Sequence, residues 1–123
     1  MRNQPKYNLF KNTTYALKGL VDIVKTENSF KIELAIVFVL VPVLVLIDIE
    51  LIEKMILFIT LMGMLIAEAI NSAIERVVDL VTLEHNKMAG RAKDVGSSVV
   101  FLSIAVFVTV WFFVLFTHFS NIF

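Results

Sequence analysis

The sequence contains no cysteine. That excludes disulfide staples, thiolate nucleophiles and cysteine-based zinc sites, and says little about compartment. Histidine is scarce too: His85 and His118 stand too far apart, and too poorly accompanied, for a histidine metal site or a hydrolytic triad. No GxxxxGK stretch followed by serine or threonine occurs, so there is no Walker loop. Neither sign of charge is in excess: eleven Lys and Arg balance eleven Asp and Glu, which argues against a polyanion-binding protein. Internal repeats and low-complexity tracts are missing. The N-terminal MRNQPKYNLFKNTTY has no apolar core of the signal-peptide kind, so the first true span is expected to act as the insertion signal.

Apolar residues are what the chain has in abundance. Of its 123 residues 59% are hydrophobic, against roughly half in soluble domains. The expectation is a single membrane-embedded domain over residues 1–123, with lipid covering much of its surface.

Three apolar segments stand out: Leu34–Ile47, Met55–Ala67 with its helix running on to about Leu80, and Ser97–Phe116. With flanking residues each meets the roughly 20 residues that a bilayer core demands. The predicted architecture is an all-α integral membrane bundle with three transmembrane helices, at about 31–47, 51–80 and 95–118. DIELIEK, Asp48 to Lys54, is short enough to force a tight turn between antiparallel helices, and Pro42 is tolerable as a kink. The polar stretch TLEHNKMAGRAKDVG carries Gly90 and Gly96, which predicts a loop or broken helix over about 81–94.

Arg2, Lys6, Lys11, Lys18, Lys25 and Lys31 precede or open the first span, and Arg76, Lys87, Arg91 and Lys93 cluster around the second connection. Lys54 alone falls on the other side. The positive-inside rule therefore places the N-terminus and the second connection in the cytoplasm, and the C-terminus outside. Trp111, Phe112, Phe113 and His118 then fall where an outer aromatic belt is expected. Before the first span, Leu9, Thr13, Ala16, Leu17, Leu20, Val21 and Val24 recur at helical spacing, while Lys11, Lys18, Asp22 and Lys25 take another face. This predicts an amphipathic helix at about 6–27 on the inner membrane surface, serving either as an anchor or as cover for a site.

The second span ends in AEAINSAIERVVDL. At 100° per residue, Glu68, Asn71, Glu75 and Asp79 share one face over roughly 16 Å of axis. An ionisable residue near the hydrocarbon costs on the order of 2.5 to 3.5 kcal/mol, so an aligned polar stripe points to a site more than to a helix contact. Arg91 and Lys93 of GRAKDVG suit phosphate oxygens, and Gly90 would let backbone approach them; taken alone, the stretch reads equally as a solvated basic loop. Glu27 and Glu75 can share a divalent cation, because Mg²⁺ takes one or two carboxylates plus phosphate and water oxygens. Taken alone, Glu27 reads as a solvated or capping charge, and Tyr15 as an interfacial anchor.

ExxNSxIExxVD, formed by Glu68, Asn71, Ser72, Ile74, Glu75, Val78 and Asp79, resembles the signature of the small prokaryotic diacylglycerol kinases. YxxKGL (Tyr15 to Leu20), ENxFKxE (Glu27 to Glu33) and GRAKDxGS (Gly90 to Ser97) match the same family in order and spacing. The resemblance implies transfer of the γ-phosphate of MgATP to the primary hydroxyl of diacylglycerol, giving phosphatidic acid. It also implies a homotrimer in a bacterial inner membrane, with sites between neighbouring chains.

By matching positions, Glu68 is similar to the family's catalytic base, and Glu27 and Glu75 to its metal-linked carboxylates. Tyr15, Glu84, His85, Asn86, Lys93 and Asp94 join Glu27 and Glu75 as implied nucleotide contacts. Ser97, Lys54, Phe30, Lys31, Glu33 and Trp111 join Glu68 as implied contacts to the lipid. Asn71, Asp79, Gly90 and Arg91 are implied supporting residues. Asn8 and Leu17 depart from the arginine and tryptophan frequent in the family, and His85 stands at a position that varies among its members.

The nearest rival is an undecaprenol kinase of the same fold. GRAKDVGS resembles the diacylglycerol branch more than the AKDxAA of the polyprenol branch. A proton-conducting or purely structural bundle would account for the stripe, but gives no reason for Glu27 and GRAKD at the inner surface.

Overall fold

The computed structural model describes residues 6–121, so Arg2 and the chain ends lie outside the described residues. Four helices and no strand are found among them: α1 (Leu9–Thr26), α2 (Asn28–Leu46), α3 (Leu51–Val81) and α4 (Lys87–Ser120). The expected all-α bundle with a leading amphipathic helix is what forms, and α2, α3 and α4 are each long and apolar enough to cross a membrane.

α1 starts on Asn8, whose side chain accepts a hydrogen bond from the Lys11 backbone N–H at 3.2 Å. It buries Ile23 and leaves Leu9, Leu17, Leu20 and Val21 exposed, as a helix lying on a membrane would. Glu27 alone separates it from α2. This residue is extended, with φ −108° and ψ 110°; its N–H donates to Ile23 O at 2.9 Å, and its carbonyl accepts from Lys31 N at 3.2 Å. One residue therefore ends one helix and begins the next.

α2 runs through Pro42 and turns back into α3 across residues 47–50. The turn closes on Glu50, whose N–H donates to the Glu53 carboxylate at 3.2 Å. α3 is the central helix, packing chiefly on α4 and next on α2. Its 31 residues span about 46 Å, half as long again as the roughly 30 Å hydrocarbon core. Counting about 20 residues from Leu51 ends the apolar crossing near Ile70, so Glu68 stands at its edge and Glu75 and Asp79 beyond it.

The second connection is shorter than expected. α4 begins at Lys87, not near residue 95, which leaves only 82–86 as loop and makes GRAKDVG helical. Asn86 is the cause: its side chain accepts from Met88 N at 2.9 Å and Ala89 N at 3.0 Å, satisfying two N–H groups that a helix start otherwise leaves unpaired. Gly90 has no positive φ, so the backbone freedom expected of it is not used.

A second correction concerns Trp111, placed by sequence in an outer aromatic belt. It is buried, and its indole N–H reaches Thr60 Oγ1 at 2.9 Å and Leu57 O at 3.3 Å. An indole N–H without water needs an internal partner, and Thr60 supplies one. Around it pack Val37, Leu44, Leu57, Leu61 and Met64. Because lipid tails are as apolar as leucine, this core coheres through close packing and the Trp111 bond, not through exclusion of water.

Candidate active site

The polar stripe of α3 descends through a gradient of burial. Glu68 is 6% exposed and Asn71 7%, Glu75 is half-buried, and the Asp79 side chain is 49% exposed. Asn71 Nδ2 donates to Glu75 Oε1 at 3.2 Å, one helical turn further along. Its amide oxygen turns towards Gly96 of α4 and has no hydrogen-bond partner among the described residues. Asp79 accepts from Lys93 Nζ at 2.7 Å, a second tie between α3 and α4.

Glu27 reaches the same end of the bundle from the break between α1 and α2. Its carboxylate lies 3.5 Å from the Arg76 guanidinium, which also donates to Thr26 Oγ1 at 2.8 Å and pairs with Asp22. Glu33, buried near the start of α2, has a carboxylate Oε2 with no hydrogen-bond partner among the described residues. No three His, Asp or Glu side chains among the described residues converge as a closed metal cage.

Beyond the stripe, the end of α3, the short loop and the first turns of α4 enclose a polar hollow of about 360 Å³. Asp79, Glu84, His85, Asn86, Gly90 and Lys93 line it, with Thr82 accepting from the Glu84 backbone N–H at 3.1 Å. This brings Glu84, His85, Asn86 and Lys93 of the expected nucleotide residues to one place, and leaves Glu27 and Glu75 outside it. Asn86 is there partly as a helix cap, a role that its position in the sequence did not disclose. Tyr15 lies exposed on α1, and Asp94 and Arg91 are exposed on α4; none of the three lines the hollow.

The expected lipid contacts divide into two groups. Phe30 and Glu33 are buried near the start of α2, Lys31 is exposed beside them, and Ser97 is exposed on α4 next to Gly96. Lys54 and Trp111 belong to the far half. Lys54 Nζ donates to Val45 O at 3.0 Å, and its place on α3 is about 21 Å along the axis from Glu68. Neither meets the carboxylates.

Sequence reasoning missed the linking residues. Arg76 entered only as a cytoplasmic charge and Asp22 only as part of a polar face. Their spacing on α1, with Asp22 and Thr26 one turn apart, was readable; a partner 54 residues away was not.

Residues 14–115 match the family described as prokaryotic diacylglycerol kinase. The chain is 36% identical over 112 residues to the diacylglycerol kinase of Escherichia coli, covering 91% of this chain and 92% of that protein. It is 33% identical over 109 residues to the diacylglycerol kinase of Haemophilus influenzae, covering 89% and 92%. It is also 34% identical over 91 residues to the undecaprenol kinase of Bacillus subtilis, covering 74% of each. A match of this extent supports a kinase, and its three apolar helices make it a multi-pass membrane protein. The chain belongs to the prokaryotic diacylglycerol kinase family.

Proposed function

We propose that the protein transfers the γ-phosphate of MgATP to the primary hydroxyl of diacylglycerol, releasing ADP and phosphatidic acid. The observation that supports this reading is the burial gradient along α3, from buried Glu68 to half-buried Glu75 and exposed Asp79, which suits a base that meets a lipid hydroxyl and a metal ligand nearer water. Both relatives named diacylglycerol kinase match over most of the chain, in keeping with that acceptor.

Glu68 is the base. Its carboxylate takes the hydroxyl proton late, as the acceptor oxygen bonds to the γ-phosphorus and the bond to the β–γ bridging oxygen breaks. The transition state is loose, so positioning and charge matter more than basicity. The chemistry of the donors suits Mg²⁺: Glu27, which meets Arg76, and Glu75, next to Arg76 in the chain, are carboxylates that would hold it together with phosphate and water oxygens. When bound, the ion neutralises charge building on the phosphates. Asn71 orients Glu75, and Lys93 at the mouth of the hollow meets the phosphate chain. The hollow lined by Glu84, His85 and Asn86 takes the nucleoside end of ATP.

On the positive-inside rule the hollow faces the cytoplasm of a bacterium, the side that supplies ATP, and the C-terminus lies outside. The chain works as a homotrimer in the inner membrane, with the exposed apolar faces of its spans turned to lipid and to neighbouring copies. Purified protein in bilayers, given labelled ATP and either diacylglycerol or undecaprenol, tests the acceptor. Faster phosphorylation of diacylglycerol is expected; faster turnover of undecaprenol would overturn the proposal in favour of the polyprenol kinase reading.

A further inference from the structure

Arg76 occupies a position that nothing in the reaction itself requires. From α3 it extends one guanidinium to three acceptors: Asp22 and Thr26 on the last turns of α1, and Glu27 at the break before α2. Its neighbour in sequence is Glu75, the other proposed cation ligand. We infer that Arg76 is a positioning residue: by clasping Asp22, Thr26 and Glu27 it docks the surface helix on α3 and holds the Glu27 carboxylate beside Glu75. The inference rests on the proposed kinase reaction for its catalytic consequence, though not for the docking.

The geometry favours a guanidinium over any other cation. A planar fork presents several N–H groups at once, so NH1 takes Asp22 while NH2 takes both Thr26 and Glu27. Lysine has the charge but only a point-like ammonium, and cannot span these acceptors. The Arg76 side chain is 44% exposed and that of Asp22 51%, so the clasp adds little to global stability. What it supplies, among the described residues, is the side-chain hydrogen bonding between α1 and α3. α1 makes no extensive contact with α3, and packs mainly on α2. Without Arg76 the α1 end and Glu27 keep their helical hydrogen bonds yet lose their fixed relation to Glu75.

The test uses the full chain in bilayers, as Arg76→Gln, Arg76→Lys, Asp22→Asn and the reciprocal exchange Asp22→Arg with Arg76→Asp. Two readouts are taken. One is the Mg²⁺ concentration for half-maximal lipid phosphorylation, compared with kcat at saturating Mg²⁺. The other is the α1 to α3 distance distribution between spin labels at Lys18→Cys and Leu80→Cys, two exposed positions in a chain with no competing cysteine. The single variants, lysine included, should need about tenfold more Mg²⁺, as for loss of a partner that orients a metal ligand, while kcat falls far less. Their label distances should broaden, and the exchange should restore part of both. Broadening without a change in Mg²⁺ requirement would overturn the positioning role. So would a changed requirement with unchanged distances, which would mean that Arg76 acts on the nucleotide directly. If the unsubstituted protein phosphorylates neither lipid, the proposed function fails, and narrow distances that broaden in Asp22→Asn still decide the docking.

Discussion

Asn71 and Gly96 meet so closely that a Cβ on Gly96 would lie 2.6 Å from the Asn71 amide oxygen. The absence of a side chain on α4 is therefore what lets Asn71 stand in its present rotamer, nitrogen to Glu75 and oxygen to the facing helix. Gly96→Ala should force that amide aside and disturb Glu75 with it. Overpacking of this kind costs about 1–3 kcal/mol, to be read by thermal unfolding in detergent, with a parallel fall in phosphorylation rate.

Gly90 supplies the contrast on the same helix. A Cβ there meets nothing within 4 Å, and the residue has ordinary helical geometry. Gly90→Ala should leave stability unchanged or raise it by up to about 1 kcal/mol, because alanine favours the helix. Unfolding midpoints of the two alanine variants, measured side by side, check both expectations.

Trp111 and Thr60 form the polar fastening of the far half. Trp111→Phe keeps most of the ring but loses the N–H, and should destabilise the bundle by about 1 kcal/mol. Thr60→Val removes the other partner. If the bond is shared as described, the double variant will cost less than the sum of the singles in a mutant cycle.

Glu68→Gln preserves shape and burial while abolishing the base. Turnover should drop by about 10²- to 10⁴-fold with the fold and nucleotide binding intact. Binding of a non-hydrolysable ATP analogue, followed beside kinase activity, separates loss of chemistry from loss of structure.

Lys93→Gln should act on the nucleotide instead. The Lys93–Asp79 pair is about half exposed, so its loss will scarcely move the unfolding midpoint. KM for ATP should rise by roughly tenfold with a smaller change in kcat, as expected on removal of a charge-assisted phosphate contact.

Much of this arrangement was legible in the chain itself. The spans followed from apolar run length, and the stripe from the three- and four-residue steps that set Glu68, Asn71, Glu75 and Asp79 on one face. What escaped was decided in one case by a local cap and otherwise by contacts between distant residues. GRAKDVG looked like a loop or broken helix because the stretch is polar and carries two glycines, and the Asn86 cap went unread. Trp111 looked interfacial because its position along the span is peripheral, whereas its direction was set by Thr60 on another helix. Arg76 obeyed a rule about sidedness and so drew no further question, although its partners lie across the fold.

Glu27 is the one residue between α1 and α2 that belongs to neither. A connection this short has only two soft dihedral angles, φ and ψ of that residue, through which the surface helix can change its pitch relative to the first span. Any tilt of α1 must therefore rotate the backbone that carries the Glu27 carboxylate. The pitch of α1 against the first span and the direction of the Glu27 backbone are, in this molecule, coupled through the same two angles.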